Sequence, residues 1–284
     1  MSVEGKSIAI TGPTAGIGRS TALILAERGA SLLLLCRSLD KGNALVEEIV
    51  AAGGSEPVLI HMDMADLNSV REAAAECLQK APRLEILVNN AGVINTTRKM
   101  TVNGFEETMA VNHFAPFLLT GLLLPSLRSA PGARIVNVAS DAHHFVRGID
   151  FDDLHATEGF STFRQYGRSK LANILFTRRL SSLLPPSEVT VNSLHPGAVS
   201  TSLGTQNGLL GKLLPMLLRP FFLSSEQGAQ TTLYLCCERE GGETTGGYYV
   251  KSRLRSPKPW AQDDEVAARL WQVTEESVDF RYAL

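Results

Sequence analysis

The sequence predicts an α/β fold: one doubly wound parallel sheet of about seven strands with helices on both faces. Three observations carry that expectation. Short apolar runs alternate with amphipathic stretches along the whole 284-residue chain. The runs are apolar without alternation, as strands buried on both faces are. A glycine cluster also marks the first strand–helix junction,.

Taken in order, strands are expected at 7–10 (SIAI), 31–36 (SLLLLC), 57–61 (PVLIH), 85–90 (EILVNN), 134–140 (RIVNVAS) and 189–195 (VTVNSLH). Helices are expected between them, over 18–28, 41–52, 67–80, 105–128 and 163–184. Such alternation implies right-handed crossovers between parallel strands. The tail adds a helix near 225–237, a last strand at 247–250 and a helix at 262–274. There is no internal repeat and no linker composition, so residues 1–284 are expected to form a single domain.

Bulk composition excludes several classes. The chain carries 27 Lys+Arg against 29 Asp+Glu, which removes the electrostatic case for nucleic acid,. The opening MSVEGKS runs straight into the first strand, so no signal peptide is expected,. Lys212, Pro215, Arg219 and Pro220 interrupt the apolar stretch 208–223, and no membrane span is expected,. The four cysteines have no metal-ligand spacing and read as reduced thiols of a cytoplasmic protein,. His143-His144 invites a metal reading, but no carboxylate or cysteine stands at a convincing ligand spacing, so no metal is expected,. His61, His113, His155 and His195 read as packed or loop histidines, and Trp260 and Trp271 as packing anchors.

The first strand runs into Thr11-Gly12-Pro13-Thr14-Ala15-Gly16-Ile17-Gly18 and then a helix. Gly12 permits the tight turn, Gly16 lets backbone approach a phosphate, and Gly18 allows close helix–strand packing. The helix N-terminus then offers free N–H groups to a pyrophosphate, as in a Rossmann-type sheet. The second strand ends in Cys36-Arg37-Ser38, where an acidic residue would favour NAD by binding the ribose hydroxyl,. Arg37, with Ser38 and Lys41 nearby, instead suits the 2′-phosphate of NADPH or NADP+. Asp63 can accept from the adenine amino group, with Met64 packing beside it. In Asn89-Asn90-Ala91-Gly92, Asn90 can pin neighbouring strands while Ala91 and Gly92 leave room for cofactor; an ordinary strand-end turn gives the same pattern.

Tyr166-Gly167-Arg168-Ser169-Lys170 opens a helix, so the phenol and the ammonium at i and i+4 share a face,. A nearby ammonium and an oxidised nicotinamide favour the phenolate and should together lower the pKa of Tyr166 toward the working range. Ser140, at the end of the fifth strand, can bond a substrate oxygen as charge develops on it. Asn112, by position alone, is a mid-helix polar residue beside a kink.

T-G-x-x-x-G-x-G, N-N-A-G, a strand-end Ser, Y-x-x-x-K and Pro196-Gly197 follow in order across nearly the whole chain. The pattern resembles the short-chain dehydrogenase/reductase family. The resemblance implies that Asn112 completes a catalytic tetrad, relaying protons through a water toward Lys170. It also implies cofactor contacts by Ile17, Val111, Pro196, Gly197, Val199 and Thr201, and a homo-oligomer formed through the long helices around Asn112 and Tyr166. C-R-S-x-x-K-G, V-N-V-A-S-D-A-H-H, Y-G-R-S-K-L-A-N-I-L-F and H-P-G-A-V-S-T resemble the retinol dehydrogenase branch, as does the long interval between Ser140 and Tyr166 with its acidic run at 149–154. Members of that branch reduce lipophilic aldehydes or ketones with NADPH. Many carry an N-terminal membrane anchor, which MSVEGKS does not resemble. Pro13 also removes one turn donor, and Ala139 stands where a second serine is frequent.

The segment 203–223, rich in Leu, Met and Phe, is expected to form an apolar lid over a small lipophilic carbonyl or alcohol substrate,. A helix pair packed on the core or a second subunit, or a peripheral lipid contact, fits the same composition. The expected activity is an NADPH-dependent carbonyl reductase. NADP-dependent alcohol oxidation and a non-catalytic NADP(H) sensor are the alternatives.

Overall fold

The computed structural model describes residues 2–199 and 223–284. Its elements run β1 (Ser7–Thr11), α1 (Gly16–Glu27), β2 (Ser31–Cys36), α2 (Leu39–Ala51), β3 (Val58–His61), α3 (Leu67–Lys80), β4 (Ile86–Asn89) and α4 (Glu107–Arg128). They continue β5 (Ala133–Val138), α5 (Thr162–Leu183), β6 (Val189–His195), α6 (Ser225–Cys237), β7 (Tyr248–Val250), β8 (Arg253–Arg255) and α7 (Asp264–Val278). The sheet order is β3-β2-β1-β4-β5-β6-β7-β8. Pairings are parallel from β3 to β7, and β8 joins antiparallel. Chain order reverses between β1 and β4, so the ligand crevice of such a sheet opens there, beyond the carboxyl ends of the strands.

The unbroken apolar runs follow from two covered faces. Leu33 and Leu35 of β2 belong to one buried layer, and Leu32 and Leu34 to the other. Alternate side chains of a strand point to opposite faces, so a strand with helices on both sides must be apolar at every position.

Three differences from the sequence reading have local causes. The edge strand β8 escaped notice because its RLR is exposed and charged. It returns through Lys251 and Ser252, both at positive φ (51° and 58°), where glycine or asparagine is the usual marker of such a turn,. Helix α4 begins at 107 because the buried Glu106 caps it, accepting from the Thr108 and Met109 N–H groups at 3.0 and 2.9 Å. Within α4 the residues Ala110–Phe114 form a π-helical turn centred on Asn112.

Helix α4 is long and apolar enough to cross a membrane, contrary to the sequence expectation, but it is almost wholly buried within the fold. A core helix packed on all sides has the same composition as a membrane span. The aromatic cluster of Phe117, Phe176, Trp271 and Tyr282 ties α4 and α5 to the C-terminus, with Trp271 to Phe117 at 4.9 Å and to Tyr282 at 4.5 Å. Gly121 meets the rings of Phe280 and Tyr282, and the Tyr282 hydroxyl donates to the Phe117 carbonyl at 2.6 Å. The helices on which the family resemblance places subunit contacts are thus covered, at these residues, by the chain's own C-terminus. His113 is packed in the same core, its Nε2 2.9 Å from Thr274 Oγ1, and burial pushes its pKa down to about 3.

Candidate active site

The β1–α1 turn is built by backbone. Gly12 and Gly16 hold positive φ (64° and 53°), a region that side chains disfavour,. A Cβ on Gly18 would overlap the Gly12 carbonyl and the Asn90 amide, so only glycine lets α1 sit this close to β1. Asn90 Nδ2 donates to the carbonyls of Thr11 (2.9 Å) and Gly12 (3.1 Å), while the Thr11 hydroxyl accepts from the N–H groups of Asn90 and Ala91. Asn90 therefore pins β4 to the turn. No side chain caps α1, which leaves first-turn N–H groups for a ligand,. Thr14 is half-buried on the turn, and Ile17 is buried with Val199 around Gly228.

Arg37 lies exposed just past β2, with no ion-pair partner among the described residues. Ser38 caps α2 by accepting from the Lys41 N–H at 3.4 Å, and Lys41 is exposed. Beyond β3, one carboxylate oxygen of Asp63 accepts from the Ala65 N–H at 2.9 Å, while Met64 is buried in the core. Val111 is buried in α4. Pro196 and Gly197 follow β6, with Gly197 at φ 92°. Thr201 and 203–222 of the expected lid lie outside the described residues; Val199 and Leu223, on either side, form a parallel bridge.

Ser140 follows β5 and opens the 3-10 turn Asp141–Phe145, its Oγ accepting from the Ala142 N–H at 3.1 Å. The Tyr166 phenol on α5 comes close enough to the Ser140 side chain for the serine to favour its phenolate. One turn further, the Lys170 ammonium lies 5.6 Å from the Tyr166 ring centroid and donates to the Val138 carbonyl at 2.9 Å. A Cβ on Gly92 would sit 3.3 Å from Asn112 Oδ1 and 3.4 Å from Lys170 Nζ, so three separate motifs of the sequence converge on one spot. The Asn112 side chain accepts from the Val93 N–H (2.8 Å) and donates to the Val93 carbonyl (3.0 Å) and Ser169 Oγ (2.9 Å). It ties the loop after β4 to α5.

Without the nicotinamide charge, burial pushes the Tyr166 phenol up to about 12, against the opposing pull of Ser140. Burial also brings the Lys170 ammonium down to about 8. In the chain alone, desolvation outweighs the attraction between the two groups, because removing either charge from water disfavours it.

A model described as short chain dehydrogenase matches residues 6–208. Retinol dehydrogenase 13 of Homo sapiens is 42% identical over 277 residues, covering 95% of this chain and 83% of that protein. Retinol dehydrogenase 12 of Homo sapiens is 40% identical, covering 99% and 88%. The chain belongs to the short-chain dehydrogenase family. Among solved structures, an uncharacterized protein from Mycobacterium Paratuberculosis matches this dehydrogenase with a TM-score of 0.80 at 29% identity, covering 100% of this chain and 97% of the other. A short chain dehydrogenase from Burkholderia cenocepacia in complex with NADP matches with a TM-score of 0.68 at 26% identity, over 87% and 96%.

The long insertion before Tyr166 is anchored to the helix that carries it. The buried Arg168 donates to Asp150 Oδ2 at 2.9 Å and to the Asp153 carbonyl at 3.3 Å, which accounts for the acidic run. Sequence spacing offered the histidine pair no carboxylate, but the 3-10 turn brings Asp141 to His143 and His144, their ligand atoms within 4.8 Å of one another. Most of those atoms are already engaged. Asp141 Oδ1 accepts from the Tyr248 hydroxyl at 2.7 Å, His143 Nδ1 bonds the Ser140 carbonyl at 2.8 Å, and His143 Nε2 accepts from the Lys258 N–H at 3.4 Å. In this dehydrogenase the cluster braces the strand that presents Ser140. His195, which reads as a packed or loop histidine in the sequence, stands at its centre; no local pattern marks it, because its partners lie 54 positions and more away.

Proposed function

We propose that this short-chain dehydrogenase reduces lipophilic aldehydes or ketones with NADPH, retinal-like polyenes included. The observation that carries the proposal is the meeting of Ser140, Tyr166 and Lys170, with the ammonium 5.6 Å from the phenol ring and tied to the strand that leads to Ser140. The cradle suits a dinucleotide: positive-φ glycines, an uncapped helix start and a cleft over Gly92 that a Cβ would crowd. Arg37, exposed beside that cradle, favours the 2′-phosphate and hence NADPH over NADH,. When bound, the cofactor supplies the hydride for the carbonyl carbon.

The chain's own residues handle the oxygen. Ser140 donates a hydrogen bond to the carbonyl oxygen as negative charge grows on it. The Tyr166 hydroxyl passes its proton to that oxygen, a far stronger base than a phenolate once it is an alkoxide. A phenol held near 12 is fully protonated at neutral pH, which suits reduction; alcohol oxidation needs the phenolate and is the weaker direction for this site,. Lys170 would orient the cofactor ribose with the N–H donors its ammonium keeps beyond the one given to the Val138 carbonyl,. The π turn at Asn112 takes carbonyls off their regular i+4 donors, which frees backbone oxygen for a water that feeds protons toward Lys170,. The substrate class draws support from the retinol dehydrogenase relatives and from the apolar composition of 203–223. The four buried cysteines, none of them in a disulfide, agree with a reducing cytoplasmic compartment,.

NADPH oxidation followed with a panel of aldehydes and ketones tests the proposal. Long-chain and polyene aldehydes should give the highest kcat/KM. Equal turnover of small polar ketones would overturn the apolar-pocket assignment. Tight NADPH binding with no turnover of any carbonyl would favour a sensor.

A further inference from the structure

Three strand ends meet beside Ser140 in a cluster that the chemistry above does not use. The Asp141 N–H donates to His195 Nδ1 at 3.2 Å, and His195 Nε2 lies 3.4 Å from Asp141 Oδ2. The Tyr248 hydroxyl donates to the other carboxylate oxygen of Asp141 at 2.7 Å. Asp141 follows β5, His195 ends β6 and Tyr248 opens β7, three neighbouring strands of the sheet. Ser140 lies directly before Asp141, and Pro196-Gly197 directly after His195. The Ala139 N–H donates to the Leu194 carbonyl at 2.8 Å, and the Ser140 carbonyl accepts from the His143 N–H at 3.2 Å. Backbone on both sides of the reactive serine is therefore held, and the hold on the Asp141 amide passes through the His195 imidazole.

That imidazole is committed to one proton arrangement. Accepting an N–H at Nδ1 requires the nitrogen to be bare, and the Nε2 proton then faces Asp141 Oδ2,. A second proton on Nδ1 would set two N–H groups against each other and release the Asp141 amide. The groups around the ring divide. The Asp141 carboxylate favours the imidazolium, while burial and His144 oppose it, and His143 and Tyr248 pack beside the same carboxylate.

We propose that Asp141, His195 and Tyr248 form a positioning clasp that sets Ser140 against the Pro196–Gly197 turn, and that protonation of His195 opens it. The clasp rests on the assignment of Ser140 to the substrate oxygen. None of its three side chains needs to touch the substrate. They fix the serine relative to the cofactor-side loop, so their loss should fall on kcat more than on KM or on NADPH affinity.

The test uses the full chain with NADPH and a medium-chain aliphatic aldehyde, together with 15N-detected histidine NMR of the wild type. His195→Ala should lower kcat about tenfold, the scale of one lost hydrogen bond to a buried group, with KM little changed. His195→Asn, whose amide oxygen can accept the Asp141 N–H but does not titrate, should recover most of kcat and lose the acid limb of its pH profile. Tyr248→Phe should raise the pH at which that limb sets in, because the carboxylate, no longer bonded to the phenol O–H, attracts the imidazolium more strongly. The NMR spectrum should show His195 as the Nε2–H tautomer above the limb. An acid limb that persists in His195→Asn, an unchanged kcat in His195→Ala, or an Nδ1–H tautomer would each overturn the clasp. If no carbonyl is turned over, the functional proposal fails on its own, and the tautomer still decides whether the clasp exists.

Discussion

The Lys170 ammonium donates a 2.9 Å hydrogen bond to the Val138 carbonyl, two residues before Ser140, and so joins the helix that carries Tyr166 to the strand that carries Ser140. The bond partly compensates a charge taken fully out of water. The folded pKa, brought down to about 8 by burial, lies below the ordinary 10.5. The charged lysine therefore opposes folding below about pH 8, and that penalty fades as pH rises from 8 to 10.5,. Lys170→Met should stabilise the cofactor-free protein by about 2 kcal/mol at pH 6 while abolishing turnover. The stability gain should vanish at pH 10.5. Urea unfolding at the two pH values is the check, and a destabilised variant at pH 6 would contradict the burial argument.

Tyr166→Phe should reduce kcat by about a thousandfold or more, the range expected for a positioned proton donor. NADPH affinity, read by fluorescence titration, should stay within about twofold, because the ring and its packing remain. A phenol held at about 12 keeps its proton to pH 9, so the wild-type rate of carbonyl reduction should show one alkaline step in that range, near pH 8, where the Lys170 ammonium titrates. A second step below pH 9 not caused by unfolding would place the donor elsewhere.

Arg37→Asp should exchange cofactor preference. An exposed guanidinium without an ion pair among the described residues is free to meet a phosphate, so losing it should raise the Kd for NADPH by about ten- to a hundredfold,. The affinity for NADH should be unchanged or improved. Competitive titration of both cofactors measures the ratio, and an unaltered ratio would remove Arg37 from the site.

Trp271 is nearly buried and packs its ring against Phe117, Phe176 and Tyr282. Trp271→Ala should destabilise the fold by about 3 kcal/mol or more, as large-to-small changes in a packed aromatic cluster do. Size-exclusion chromatography of the variant adds a second readout. Loosening the C-terminal cover of α4 and α5 should expose apolar surface and promote self-association beyond that of the wild type.

Much of the site was legible because its signals are short-range. Gly12, Gly16 and Gly18 mark a turn within eight residues, and Tyr166 with Lys170 needs only the pitch of one helix to share a face. The sequence shows the charges that favour the phenolate but not the burial that opposes them, because burial depends on everything that packs around a side chain. Asp141 escaped the reading of the histidine pair because a 3-10 turn, not an α-helix, brings adjacent residues together there.

The sequence by itself determined the order of strands and helices, the two covered sheet faces and the helical pairing of Tyr166 with Lys170. Each follows from periodicity within a single element, which the backbone imposes wherever that element forms. Only the tertiary structure decided that Ser140 would meet Tyr166, that His195 would lie against Asp141, and that Tyr248 would close on the same carboxylate. Those residues belong to different strands and a helix, and their meeting is set by sheet order and register. Parallel pairing of β5, β6 and β7 carries their carboxyl ends to one edge, and no local pattern in the chain records which side chains that edge will join.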